Sequence, residues 1–363
     1  MHSCVSPRRA LLVLLPLVVG CRNGPAPEPA PQGGVPAPAA AAPASREVIT
    51  VRNAARLERV ASLDVPGSFI GLVTFLPDGR SLVTGDRNGE VLFWETGTWT
   101  RRVYQAARST READDSARVP FSPTLALSPD GRTLAGTTNA AGDVAVRDVA
   151  GRAVSAFSYG SPVYATAISP DGRLVAAGGL RGNVAVHELA TGRQVADLRC
   201  DREYVSVLAF SPDGRTLVAG YERPGNLMKA WSTGTWQESY TFYRIDTRTD
   251  YHDAVFTADG GQLLIARIPA DIELVDLGTR EVVRRFVGHD RAAYQLALSP
   301  DGSLLASAAD DGTVRLWEMA TGNAVRVIEL GERELYSVAF SPDGRLLAFS
   351  VSGEGAQVWA VAR

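Results

Sequence analysis

Lysine is almost missing from this chain of 363 residues: Lys229 stands alone, and arginine carries the rest of the positive charge. Lys and Arg together number 37 against 40 Asp and Glu. That balance excludes the broad basic surface that nucleic acid or anionic lipid would require. The arginine bias reads as codon usage in a GC-rich genome. Histidine is scarce, at four residues, and cysteine scarcer, at three. No two histidines stand at metal-ligand spacing, so no metal is expected. No G-x-S-x-G, H-E-x-x-H, P-loop or Rossmann glycine pattern occurs, so no cofactor is expected and enzyme chemistry has few carriers. Long apolar runs are missing too. The longest, Ala10–Val19, is short of the ~20 residues that a membrane-spanning helix needs.

That run follows Arg8 and Arg9 and ends at Gly20-Cys21. A basic stub, a short apolar stretch and a small residue describe a secretory signal. "LVVGC" resembles the lipobox of bacterial lipoproteins. The resemblance implies a signal peptide over residues 1–20 and a lipidated Cys21. Arg22 stands where an aspartate would retain such a protein in the inner membrane, which implies the outer membrane of a Gram-negative cell. Residues 21–46 form a Pro- and Ala-rich linker that cannot bury enough apolar surface to fold. In a polyproline conformation, at ~3.1 Å per residue, it reaches up to roughly 75 Å. Cys200 then has no partner, so no intramolecular disulfide is expected.

What the chain has in abundance is glycine (35), proline (21) and one recurring phrase. "FLPDGRSLVTG", "LSPDGRTLAG", "ISPDGRLVAAG", "FSPDGRTLVAG", "FTADGGQLLIA", "LSPDGSLLASA" and "FSPDGRLLAFS" place marker aspartates at Asp78, Asp130, Asp171, Asp213, Asp259, Asp301 and Asp343. Their intervals are 52, 41, 42, 46, 42 and 42. A period near 42 marks an array of one supersecondary unit. Each unit predicts an apolar strand, a Ser-Pro-Asp-Gly turn and three more strands. Pro pre-sets φ at the second turn position and Gly accepts the left-handed residue that follows. Four-stranded sheets that are apolar on both faces need neighbours on each side, and radial stacking supplies them. The expectation for residues 47–363 is an all-β, seven-bladed β-propeller. The last unit stops after its third strand, "AQVWAVAR". The alternating segment Ala55–Val65 is expected to complete that blade and close the ring.

"GHDRAAYQLALSPDGSLLASAADDGTVRLWEMATG", Gly288–Gly322, resembles a WD40 repeat. The resemblance implies a hydrogen-bonded tetrad of His289, Ser307, Asp311 and Trp317. Elsewhere the histidine position holds Arg118, Tyr159, Asp201, Thr247 or Gly331. Third-strand tryptophans recur at Trp94, Trp231 and Trp359.

Two sets of residues are candidates for function. Insertions lengthen connections that share the top face in the family. They carry Arg108, Arg111, Arg118, Tyr221, Arg223, Tyr243, Arg244 and Tyr251. Arginine and aromatics are what protein-binding surfaces concentrate; drift in loop length is the competing reading. Seven residues before each marker stand Gly71, Pro123, Tyr164, Ser206, His252, Tyr294 and Tyr336. In the family this position approaches the mouth of the central channel. Tyr164, His252, Tyr294 and Tyr336 there suit a peptide or small ligand, or simply plug the channel. The whole pattern points to a monomeric, non-catalytic envelope lipoprotein that presents a rigid top face to a protein partner. An enzyme of lactonase or quinoprotein type and a Tol-like periplasmic propeller are the alternatives.

Overall fold

The computed structural model describes residues 46–65, 70–86, 90–104, 125–137, 142–199, 204–222, 227–243, 251–267 and 271–362. Seven four-stranded antiparallel sheets follow one another along the chain. Their first strands are Ile70–Phe75, Leu125–Leu127, Val163–Ile168, Tyr204–Phe210, Tyr251–Phe256, Ala293–Leu298 and Val338–Phe340. These pack against one another between successive sheets and form the inner wall of a ring. The architecture is a seven-bladed β-propeller.

The turn behind the first strand shows why the phrase repeats. In blade six Ser299 Oγ donates to Asp301 Oδ1 (2.6 Å), and the Leu304 amide donates to Ser299 Oγ (2.9 Å). The Gly302 amide closes the turn on the Ser299 carbonyl (2.8 Å), and Gly302 takes φ +69°. Blades two, three, four and seven repeat this with Ser128, Ser169, Ser211 and Ser341; blade five uses Thr257. Hydrogen bonds to the marker carboxylate hold its pKa low, as from Ser128 to Asp130.

The core is distributed. Seven apolar clusters lie one at each junction between neighbouring blades. At the junction of blades five and six, Phe286 and Ala293 meet Leu305 and Trp317, all fully buried. Small residues let blades approach: a Cβ on Gly178 would come within 2.6 Å of Val205 Cγ1 in the next blade.

Closure joins the two ends of the described body. Leu57–Leu63 pairs antiparallel with Gly355–Val361, from Leu57 opposite Val361 to Leu63 opposite Ala356. The N-terminal segment thus supplies the outermost strand of blade seven. Ile49, Ala54 and Leu57 add to the cluster between blades six and seven.

Candidate functional site

The turn between second and third strands and the connection into the first strand meet at one end of each blade. The Leu330 amide bonds the Gly312 carbonyl, and the Asp310 amide bonds the Ala292 carbonyl, both within 3.0 Å. The first strands start at this end, so the residues seven before each marker lie on its inner rim. Five of the seven, Gly71, Tyr164, Ser206, His252 and Tyr294, occupy a β-bulge where the register to the second strand slips. A bulge re-aims the side chain it carries. The register gave no sign of itself in the sequence.

The bulges bring side chains from different blades together. His252 meets Tyr294 edge-on with ring centroids 4.9 Å apart, and Tyr294 stacks on Tyr336 at 4.9 Å. Three consecutive blades, five to seven, therefore present a continuous aromatic row. Tyr164 pairs instead with Tyr204 of blade four, edge-on at 5.5 Å. Tyr204 lies two residues before the repeat position, where no alignment of markers singles it out. Beside the row the Tyr336 hydroxyl donates to Glu334. Burial pushes the Tyr294 hydroxyl pKa up to about 12, with help from Asp310 and Glu334.

Blade six holds a second polar assembly. Trp317 Nε1–H donates to Ser307 Oγ (2.9 Å), Ser307 Oγ lies 2.7 Å from His289 Nε2, and His289 Nδ1 lies 2.8 Å from Asp311 Oδ2. Asp311 is acceptor-only when ionised, so Nδ1 carries the proton and Nε2 accepts from serine. Burial raises the Asp311 pKa, but hydrogen bonds from His289 and Thr313 outweigh it and hold the carboxyl well below the usual range. Serine, histidine and aspartate in this order resemble a nucleophilic relay. Yet Ser307 is fully buried and its lone pair takes the Trp317 N–H. No substrate carbonyl reaches that oxygen, and the assembly braces the blade. Blade three achieves a similar brace with Tyr159 in the histidine position. Its hydroxyl donates to the Asn183 carbonyl (2.7 Å) and accepts from the Gly179 amide (3.1 Å). Blade one keeps the tryptophan end of this assembly, with Trp94 Nε1–H donating to Thr84 Oγ1 at 3.0 Å.

Two residues assigned to the outer contact surface are core residues. Tyr221 lies in the strand Thr216–Glu222, 1% exposed, against Trp231. Tyr251 is 3% exposed and packs over Gly220, where the missing side chain makes room for its ring. Both sit next to insertions, yet each side chain turns into the apolar cluster at a blade junction. Tyr243 ends the outer strand of blade four. Cys21, Arg108, Arg111, Arg118, Arg223 and Arg244 lie outside the described residues, as do Pro123 and Cys200. His187 is a packing residue. Its ring stacks on Phe157 at 3.8 Å, Nδ1–H donates to the Gly192 carbonyl, and burial lowers its pKa. Among the described residues no group of three or more His, Cys, Asp or Glu is placed to hold a metal ion.

Residues 280–318 match the family model for the WD domain, G-beta repeat. A WD40 repeat therefore supplies the three inner strands of blade six. The matched span begins with the outer strand of blade five, so the sequence repeat straddles two blades and stitches them together. The chain is also similar to the protein groucho of Drosophila melanogaster, 29% identical over 157 residues. That match covers 43% of this chain and 20% of groucho, so it spans a fifth of the relative's length. The fold and the repeat together make a WD40-type propeller, an architecture widely used as a protein-interaction scaffold.

Proposed function

We propose that this protein is a non-catalytic scaffold of the cell envelope, lipid-anchored through Cys21, whose propeller docks a protein partner on its top face. The aromatic row of His252, Tyr294 and Tyr336 carries the reading. It is assembled from three blades, lies on a rigid inner rim, and exposes rings of the kind that anchor protein interfaces. The partly exposed residues of this row replace Tyr221 and Tyr251 as the contact surface. Arg108, Arg111, Arg118, Arg223 and Arg244 remain candidates for an outer rim around it. The Pro- and Ala-rich linker would hold the propeller away from the bilayer.

In-cell crosslinking tests the docking. Tyr294→Ala with Tyr336→Ala should abolish the crosslinked adduct while the protein stays folded and at wild-type abundance. An unchanged adduct pattern would remove the aromatic row from the interface. Cys21→Ala should move the protein from the membrane to the soluble fraction; continued membrane partitioning would end the lipoprotein assignment.

A further inference from the structure

The residue that follows each rim position, six before the marker, differs between the blades; in blade two it is Thr124, outside the described residues. In blades five, six and seven it is Asp253, Gln295 and Ser337; in blades one, three and four it is Leu72, Ala165 and Val207. The first three share one contact. Asp253 Oδ2 accepts the Leu296 amide of blade six (2.8 Å). Gln295 Oε1 accepts the Val338 amide of blade seven (2.9 Å), and the Ser337 hydroxyl donates to the same oxygen. Ser337 Oγ accepts the Val73 amide of blade one (2.7 Å). Each acceptor reaches the same place on the next blade, the amide five residues before that blade's marker. Leucine, alanine and valine cannot do this.

We propose that Asp253, Gln295 and Ser337 are positioning residues, a side-chain relay that locks blades five, six, seven and one into a single rigid sector and holds the His252–Tyr294–Tyr336 row in register. A first strand faces the ring axis with one edge unpaired, and an amide left unbonded there while buried is destabilising. Leu296, Val338 and Val73 are 4%, 2% and 1% exposed, so their amides need an internal acceptor. Where no acceptor precedes them, Leu125 and Leu208 at the same position are only half-buried, and the buried Ala254 amide donates instead to Oδ1 of its own neighbour Asp253 (2.9 Å). The relay and the aromatic row coincide in sequence as the pairs His252-Asp253, Tyr294-Gln295 and Tyr336-Ser337. Each ring is thus fixed one residue away from the bond that sets the spacing to the next blade. The last link lies at the junction where the ring closes. Blade seven is therefore fastened inside by Ser337 and outside by Leu57–Leu63.

Site-resolved amide hydrogen exchange on the full chain tests the relay without any partner, so its outcome is independent of the docking proposal. In the unaltered protein the Leu296, Val338 and Val73 amides should exchange at least tenfold more slowly than that of Leu208. Equal rates overturn the proposal, whether or not any variant folds. Asp253→Val should raise Leu296 exchange at least tenfold and leave Val73 unchanged, whereas Asp253→Asn, which keeps an acceptor oxygen, should stay within threefold of wild type. Gln295→Met should shift the ring-proton resonances of Tyr294 and Tyr336 toward unstacked values, and Gln295→Glu should restore them. Unmoved tyrosine resonances in Gln295→Met, or equal exchange in the valine and asparagine variants, would show that the relay positions nothing.

Discussion

Asp253 carries a cost that its neighbours in the relay avoid. It is half-buried and has no ion-pair partner among the described residues; burial pushes its pKa up to about 6, against the lowering effect of the Leu296 and Ala254 amides. A folded-state pKa above the unfolded value of ~3.9 means that the native protein binds the proton more tightly. The contribution to stability is therefore fullest below about pH 4 and is lost as pH rises through 6. Asp311 behaves oppositely, since its lowered pKa gives stability that disappears on acidification. Asp253→Asn removes this titration, while its NH2 group replaces one of the two oxygens that accept the Leu296 and Ala254 amides. Its urea midpoint, taken relative to that of the wild type, should rise from pH 5 to pH 7.5. A difference independent of pH would mean that the carboxyl is solvated in the native state.

The strand is the scale at which blade spacing is set. Glycine stands seven residues after the marker in the second strands of blades one, three and four, at Gly85, Gly178 and Gly220. All three have ordinary backbone angles, so the hydrogen side chain serves packing. At Gly178 a methyl would meet Val205 Cγ1 at 2.6 Å and Cβ at 2.8 Å; at Gly85 its nearest contact is 3.6 Å. Gly178→Ala should destabilise by about 1–3 kcal/mol through overpacking. Gly85→Ala should be neutral or stabilise by up to about 1 kcal/mol, because it restricts the unfolded chain. Chemical denaturation of both variants checks the contrast, and equal effects would contradict the close approach of blades three and four.

For the whole molecule the question is how a ring without a central core stays closed. Each blade buries its faces only against its neighbours, so opening one junction exposes two apolar faces. The junction of blades seven and one is doubly secured, by Ser337 and by the borrowed strand Leu57–Leu63. Deleting residues 55–65 uncovers Val358 and Val361, both at most 2% exposed, and leaves the long edge Gly355–Val361 unpaired. Such edges recruit other chains. The deletion should lower the thermal midpoint and yield oligomers by size exclusion. A monomer that melts at the wild-type temperature would show that closure depends on the inner contacts alone.

Periodic features were legible in the sequence. The Pro-Asp-Gly turns, the seven blades, the four-strand units and the strand that completes blade seven all follow from local turn chemistry and from apolar faces that need covering. Tertiary structure alone decided three things. The bulges at Tyr164, His252 and Tyr294 depend on strand register, which no single strand encodes. The burial of Tyr221 depends on Trp231 in the next strand of its own blade, and that of Tyr251 on Gly220 across a junction. The partners of Asp253, Gln295 and Ser337 belong to the next blade, and only the closed ring brings an acceptor in one repeat to an amide in another.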